Sequence, residues 1–159
     1  MISNPQLGLG TKLRLLLARL DGELAALYAK GGHNFRPRFY PVFQLLLQCE
    51  ESSVSEIANY LQATQPAATQ TLSEMKKLDL VEFAAGKDRR ERIVTLTPHA
   101  LEMAGDLRPL WDAVGRAANE LDEELSHPLS AILDEALAAL ARKSFPDRIS
   151  ENRASGRKQ

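Results

Sequence analysis

Residues 54–97 read VSEIANYLQATQPAATQTLSEMKKLDLVEFAAGKDRRERIVTLT, and their order decides the fold. Ser52-Ser53, just ahead, supply caps for a short helix to Leu61. Glu56 stands three residues after Ser53, the spacing of a capping box. Gln62-Ala63 makes a tight break. Thr64 is then the N-cap of a second helix reaching Leu78, with Pro66 in its first turn, where the lost N–H has no intrahelical partner. The 3.6-residue period buries Ala68, Leu72 and Met75 and turns Gln65, Pro66, Thr69, Gln70, Ser73 and Lys76 outward. Two short β-prone segments follow, Leu80 to Ala85 and Ile93 to Leu96, with Gly86 permitting the turn between them. Four basic residues, Lys87, Arg89, Arg90 and Arg92, crowd the hairpin tip.

Outward from this stretch the chain is helical. Leu9, Leu13, Leu16, Leu20, Leu24 and Leu27 recur at spacings of three and four, one face of a helix that Gly31-Gly32 stops. A second helix runs from Pro37 or Phe39 to Cys49. Thr97-Pro98 reads as cap and first-turn proline of a long helix with the stripe Leu101, Ala104, Leu107, Trp111, Val114, Ala118, Leu121 and Leu125. Ser126 and Pro128 start a last helix, apolar at Leu129, Ile132, Leu133, Ala136, Leu137 and Leu140. The predicted fold is mainly α with a small β-hairpin wing, a winged helix-turn-helix with N- and C-terminal dimerisation helices. A single domain is expected over 1–143, with its nucleic-acid-binding part at about 37–97, dimerisation helices at about 9–29 and 98–143, and a polar tail over 144–159. Long amphipathic helices at both ends carry more apolar surface than so small a domain covers alone. A second copy related by a two-fold axis is therefore the expected partner.

Composition narrows the function. Formal net charge is −1, so a general polyanion binder is excluded and nucleic-acid contact must come from a local patch. The charge is uneven: nine acids face Arg108 and Arg116 between Glu102 and Glu135, whereas six basic residues face two acids from Arg142 onward. The single Cys49 excludes an intramolecular disulfide and fits a reducing compartment. No apolar run approaches the roughly 18 residues of a membrane span, so the cytoplasm is the expected location and no membrane partner is expected. His33, His99 and His127 lack metal-ligand spacing, and no nucleophile–base pair or Gly-rich phosphate loop stands out. Neither an enzyme nor a metal or other cofactor is expected.

From Val54 to Thr97 the chain resembles the multiple antibiotic resistance regulator (MarR) family of bacterial transcription factors. Ser55 to Leu61 looks like that family's first motif helix, Thr64 to Leu78 like its recognition helix, and Leu80-Val81 like the start of its wing. Asp88-x-Arg90, five residues, then Leu96-Thr97 follow the family's wing pattern without a gap. The resemblance implies a homodimeric repressor or activator whose DNA binding responds to ligands or oxidants. Two positions depart from it. Gln62 stands where the family often has Gly, so a positive φ there carries a cost. Gln70 stands where a basic residue is frequent.

On this reading Gln65, Pro66, Thr69, Gln70 and Ser73 meet the major groove of a double-stranded operator, where Gln pairs with adenine and a Thr methyl packs on thymine. Arg90 enters the minor groove, and Asp88 fixes that arginine or the turn. Lys87, Arg89 and Arg92 are phosphate contacts, and Lys76 and Lys77 add charge near the helix end. Arg36 and Arg38 are open to either reading, added DNA charge or plain surface. Cys49, in Leu-rich surroundings, is expected as a buried and inert thiol. Tyr28, His33, Phe39, Phe43 and Trp111 have two readings, core packing or the lining of a cavity for a small aromatic effector of the kind the resemblance implies. The rival function is a winged-helix protein-interaction module, against which the four wing cations argue.

Overall fold

Helix α1 (Leu9–Lys30) ends at Gly31, as the Gly31-Gly32 pair predicts, in the computed structural model, which describes residues 7–88 and 90–155. Gly32 takes φ +79°, the left-handed region open to glycine, and lets the His33 N–H bond back to the Tyr28 carbonyl at 3.0 Å. A 3₁₀ turn (Pro37–Phe39) leads into α2 (Tyr40–Cys49). Then come β1 (Glu51–Ser53), α3 (Val54–Tyr60), α4 (Gln65–Lys77), β2 (Val81–Ala85) and β3 (Arg92–Leu96). Helices α5 (Pro98–Glu124), α6 (Leu129–Arg142) and α7 (Phe145–Ser155) complete the chain. This is the expected mainly α winged helix-turn-helix with a small β wing.

The sheet holds one strand more than the sequence predicts. Glu51–Ser53 pairs antiparallel with β3, Ser52 opposite Val94, so the order is β1-β3-β2. Three polar-rich residues show no alternation of their own, and only the free edge of β3 makes them a strand. Ser53 does its expected work as well. Its Oγ accepts from Glu56 N at 3.2 Å while the Glu56 carboxylate accepts from Ser53 N at 2.8 Å, a complete capping box.

The described chain divides into two compact units after Leu107. In the first, Phe35 sits amid three rings, edge-on to Tyr28 at 4.8 Å, Phe43 at 4.9 Å and Phe39 at 5.8 Å between centroids. Such pairs add about 0.5–1.5 kcal/mol each beyond their area burial. Tyr28, Phe39 and Phe43, three of the residues with two readings, are at most 1% exposed, and each packs edge-on with Phe35. His33 stands apart from that cluster, on a hollow of about 270 Å³ with Asn34, Leu78, His99, Glu102 and Asp106. The buried turns of α5 in this unit carry Ala100, Met103, Ala104 and Leu107; Leu101, expected in the stripe, is 52% exposed. Cys49 corrects another expectation. It lies exposed on the last turn of α2, its thiol donating to the Leu45 carbonyl, because the helix buries the face of Val42, Phe43 and Leu46 instead.

In the second unit Trp111 is buried, and α6 is capped from α5 rather than by Ser126. The Asp122 carboxylate accepts from Leu129 N at 2.8 Å, from Ser130 N at 3.3 Å and from the Ser130 hydroxyl. Within the expected polar tail, residues 145–155 are helical. Ser144 accepts from Asp147 N, Arg148 donates to the Ala139 and Lys143 carbonyls, and Lys143 pairs with Glu151. A polar helix without a stripe escapes a periodicity search, and these links to the end of α6 hold it.

Both capping carboxylates have lowered pKa values. For Glu56 the main cause is the Ser53 backbone hydrogen bond, then the Ser52 and Ser53 side chains; for Asp122 it is the Ser130 side chain. A lowered folded pKa stabilises the fold above the ordinary carboxylate range, about 4, and the contribution fades as pH falls through the folded value. Glu56→Gln should therefore cost stability near neutrality, with the gap to the unsubstituted chain closing below about pH 4. Urea titrations across that range measure the gap.

Candidate nucleic-acid interface

The exposed helix face is set by what precedes it. After α3 the chain turns through Gln62 at φ +50°, closed by Gln62 N to Asn59 O at 3.1 Å and Ala63 N to Ala58 O at 3.0 Å. A side chain in the left-handed region is strained, as the departure from Gly at this position foretells. Thr64 then caps α4 by accepting from Ala67 N at 3.3 Å, with Pro66 in the first turn. Ala68, Leu72 and Met75 are buried, while Gln65, Pro66, Thr69, Gln70, Ser73 and Lys76 are exposed together on the opposite side. Of these six, Gln65 is tied to the preceding helix: its amide donates to Ser55 Oγ at 2.6 Å and clasps the two motif helices together.

At the other end of α4, Asp79 takes φ +57° and Leu80 N bonds to Met75 O at 2.9 Å. Thr97 locks this exit, its hydroxyl donating to Asp79 O at 2.5 Å and accepting from Ala100 N at 3.0 Å. β2 and β3 pair from Val81 opposite Leu96 to Ala85 opposite Arg92. Gly86 N bonds to Glu91 O at 2.8 Å, and a Cβ on Gly86 would come within 3.0 Å of the Glu91 Cβ, so the wing turn needs glycine for close approach. Asp88 fixes the turn: its Oδ1 accepts from Arg90 N at 3.0 Å and its carbonyl from Glu91 N at 2.9 Å. Lys87, Arg90 and Arg92 are exposed; Arg89 lies outside the described residues.

Three residues of this surface escape a reading of the sequence. Glu74 on α4 accepts from both Arg36, at 2.8 Å, and Arg38, so the two arginines brace that helix. Phe83 on β2 has the Arg92 guanidinium 4.2 Å and the Lys76 ammonium 5.2 Å from its ring centroid. Ser55 receives Gln65. No local pattern reveals such partners, which lie 10 residues apart for Gln65 and Ser55 and 38 for Arg36 and Glu74.

The strain at Gln62 yields a prediction. Gln62→Gly should raise thermal stability, by roughly 0.5 kcal/mol once the extra freedom of the unfolded glycine is set against the relief. A lower melting temperature in calorimetry would overturn it.

No family model and no curated protein matches the sequence. Solved structures do. The chain is similar to the M. tuberculosis transcriptional regulator MosR in complex with DNA, with a TM-score of 0.69 and 19% identity over 87% of this chain and 98% of that one. It is similar to MepR of S. aureus in a DNA complex, at TM-score 0.66 and 14% identity over 86% and 98%. A cysteine-to-serine mutant of E. coli MarR with operator DNA gives TM-score 0.64 and 19% identity over 83% and 92%. At such identities the likeness speaks for architecture. With the capped motif helices, the three-stranded sheet and the basic hairpin, it shows that this chain has the winged helix-turn-helix fold of the MarR-family regulators.

Proposed function

We propose that the chain is a sequence-specific DNA-binding transcription regulator, a cytoplasmic homodimer that represses from a pseudo-palindromic operator and releases it on binding a small effector. One observation carries the reading: an exposed polar helix face and a basic hairpin stand side by side in one unit, the helix capped by Thr64, the hairpin turn fixed by Asp88 and the exit of α4 tied by Thr97. Pro66, Thr69, Gln70 and Ser73 fit the major groove, with Gln65 contributing from the helix start. Arg90 fits a narrow minor groove, and Lys76, Lys87, Arg89 and Arg92 fit the phosphates. Solved neighbours in fold that hold DNA support the same assignment.

The dimer is supported by unpartnered apolar rows. On α1, Leu13, Leu17, Leu20 and Leu27 are 41–59% exposed; on α6, Ile132, Leu133, Leu137 and Leu140 are 38–57% exposed. A second copy covers such rows and sets two recognition helices about one turn of DNA apart. No described helix is long and apolar enough to cross a membrane.

Selection of bound fragments from genomic DNA with purified protein tests the assignment. An inverted repeat should be recovered, and Arg90→Ala should bind it about tenfold more weakly, the scale of one specific contact. Weak recovery without sequence preference would favour a winged-helix protein-interaction module instead. Leu137→Asp should shift the protein from dimer to monomer in sedimentation velocity, and an unchanged dimer would remove α6 from the interface.

A further inference from the structure

The wing and the recognition helix meet at one aromatic ring. Phe83 stands on β2 opposite Val94, and Arg92, two residues before Val94 on β3, is its diagonal neighbour on the same face. The Arg92 guanidinium lies 4.2 Å from the Phe83 centroid. Lys76, from the last turn of α4, brings its ammonium to 5.2 Å from the same centroid. Both are within cation–π range. Both cations are exposed, and neither has a carboxylate partner among the described salt bridges. Two like charges at one ring repel each other. Attraction to the ring offsets that repulsion only in part, and an anion reached by both cations would relieve it.

Resting on the DNA-binding assignment above, we propose that Lys76 and Arg92 form a single seat for one backbone phosphodiester, and that Phe83 is the positioning residue that gathers them. Phe83 touches no DNA on this account. It fixes the distance between recognition helix and wing at the point where the duplex backbone passes from one to the other. Lys76 and Arg92 then act on one phosphate jointly, not on two separately. A phosphate between two preplaced cations loses less freedom to reach its contacts, and the long side chains have already been ordered by the ring.

The test is binding of a labelled duplex from the selection described above, measured by anisotropy over a range of salt. Phe83→Leu should weaken binding about two- to fivefold, and Phe83→Tyr, which keeps the ring, should restore it. Thermal melts of both variants show that the fold is kept. The slope of log affinity against log salt should fall by about 0.9 in the Lys76→Ala/Arg92→Ala double variant, the value for one phosphate. A fall of about 1.8, the value for two phosphates, would overturn the shared seat. Equal affinities of Phe83→Leu and the unsubstituted chain would overturn the positioning role. If the unsubstituted chain shows no salt-dependent binding at all, the DNA-binding assignment itself fails, and this seat with it.

Discussion

Thr97 ties together three parts of the molecule, two through its hydroxyl and one through its backbone N–H. It donates to the carbonyl of Asp79 at the exit of the recognition helix and accepts from Ala100 N, capping α5. Its own N–H bonds to Leu80 O, at the root of the wing. Thr97 is 1% exposed, so these bonds form away from competing water and leaving any of them unmade would be costly. The exit of α4, the departure of β2 and the start of α5 are thereby tied to one residue. Recognition helix and hairpin can be arranged as a fixed pair only because their common root is locked.

Outside that root, weaker interactions do the orienting. The pairs of Glu74 with Arg36 and Arg38 are partly exposed, and such pairs individually contribute about 0–1 kcal/mol. Their value lies in geometry: two guanidinium groups on one carboxylate limit how far α4 can roll. Gln65 on Ser55 acts likewise at the opposite end of the helix. The exposed face between these braces keeps its polar side chains outward, as a surface that must meet a partner requires. A molecule with net charge −1 concentrates positive charge on the wing, so attraction to a polyanion is local and the wing's geometry governs it.

Apolar surface follows a different logic in the two units. The first closes its core around Phe35 and its three neighbouring rings. The last helices bury little within their own unit: α6 has no buried residue, and Phe145 and Ile149 of α7 are 60% and 45% exposed. The leucine row of α1 is exposed as well. In the proposed dimer a second copy covers these helices, and folding and self-association are then parts of one equilibrium.

Much of the fold was legible in linear order because its causes are local. Ser53 and Glu56 declare a helix start by spacing, Thr64 and Pro66 declare another, and the period of Ala68, Leu72 and Met75 declares which face is buried. Gly31-Gly32 declares a stop. The wing is legible from turn chemistry, and Asp88, which the sequence offers as fixing the arginine or the turn, holds the Arg90 backbone N–H. What the order of residues left open depends on contacts between distant positions. The strand at Glu51–Ser53 exists because β3 has an edge to lend it, and α7 exists because Arg148 and Lys143 tie it to its neighbour. Tyr28, Phe39 and Phe43 carry the same chemistry whether they line a cavity or fill a core, and only the tertiary structure places them, buried, around Phe35. Cys49 sits among leucines in sequence yet faces solvent, since a helix buries one side only. The ring that gathers Lys76 and Arg92, and the carboxylate that holds Arg36 and Arg38, are products of tertiary structure alone: local propensity fixes where helices and turns begin, while side-chain encounters across the fold fix which charges are braced and which are left to meet a partner.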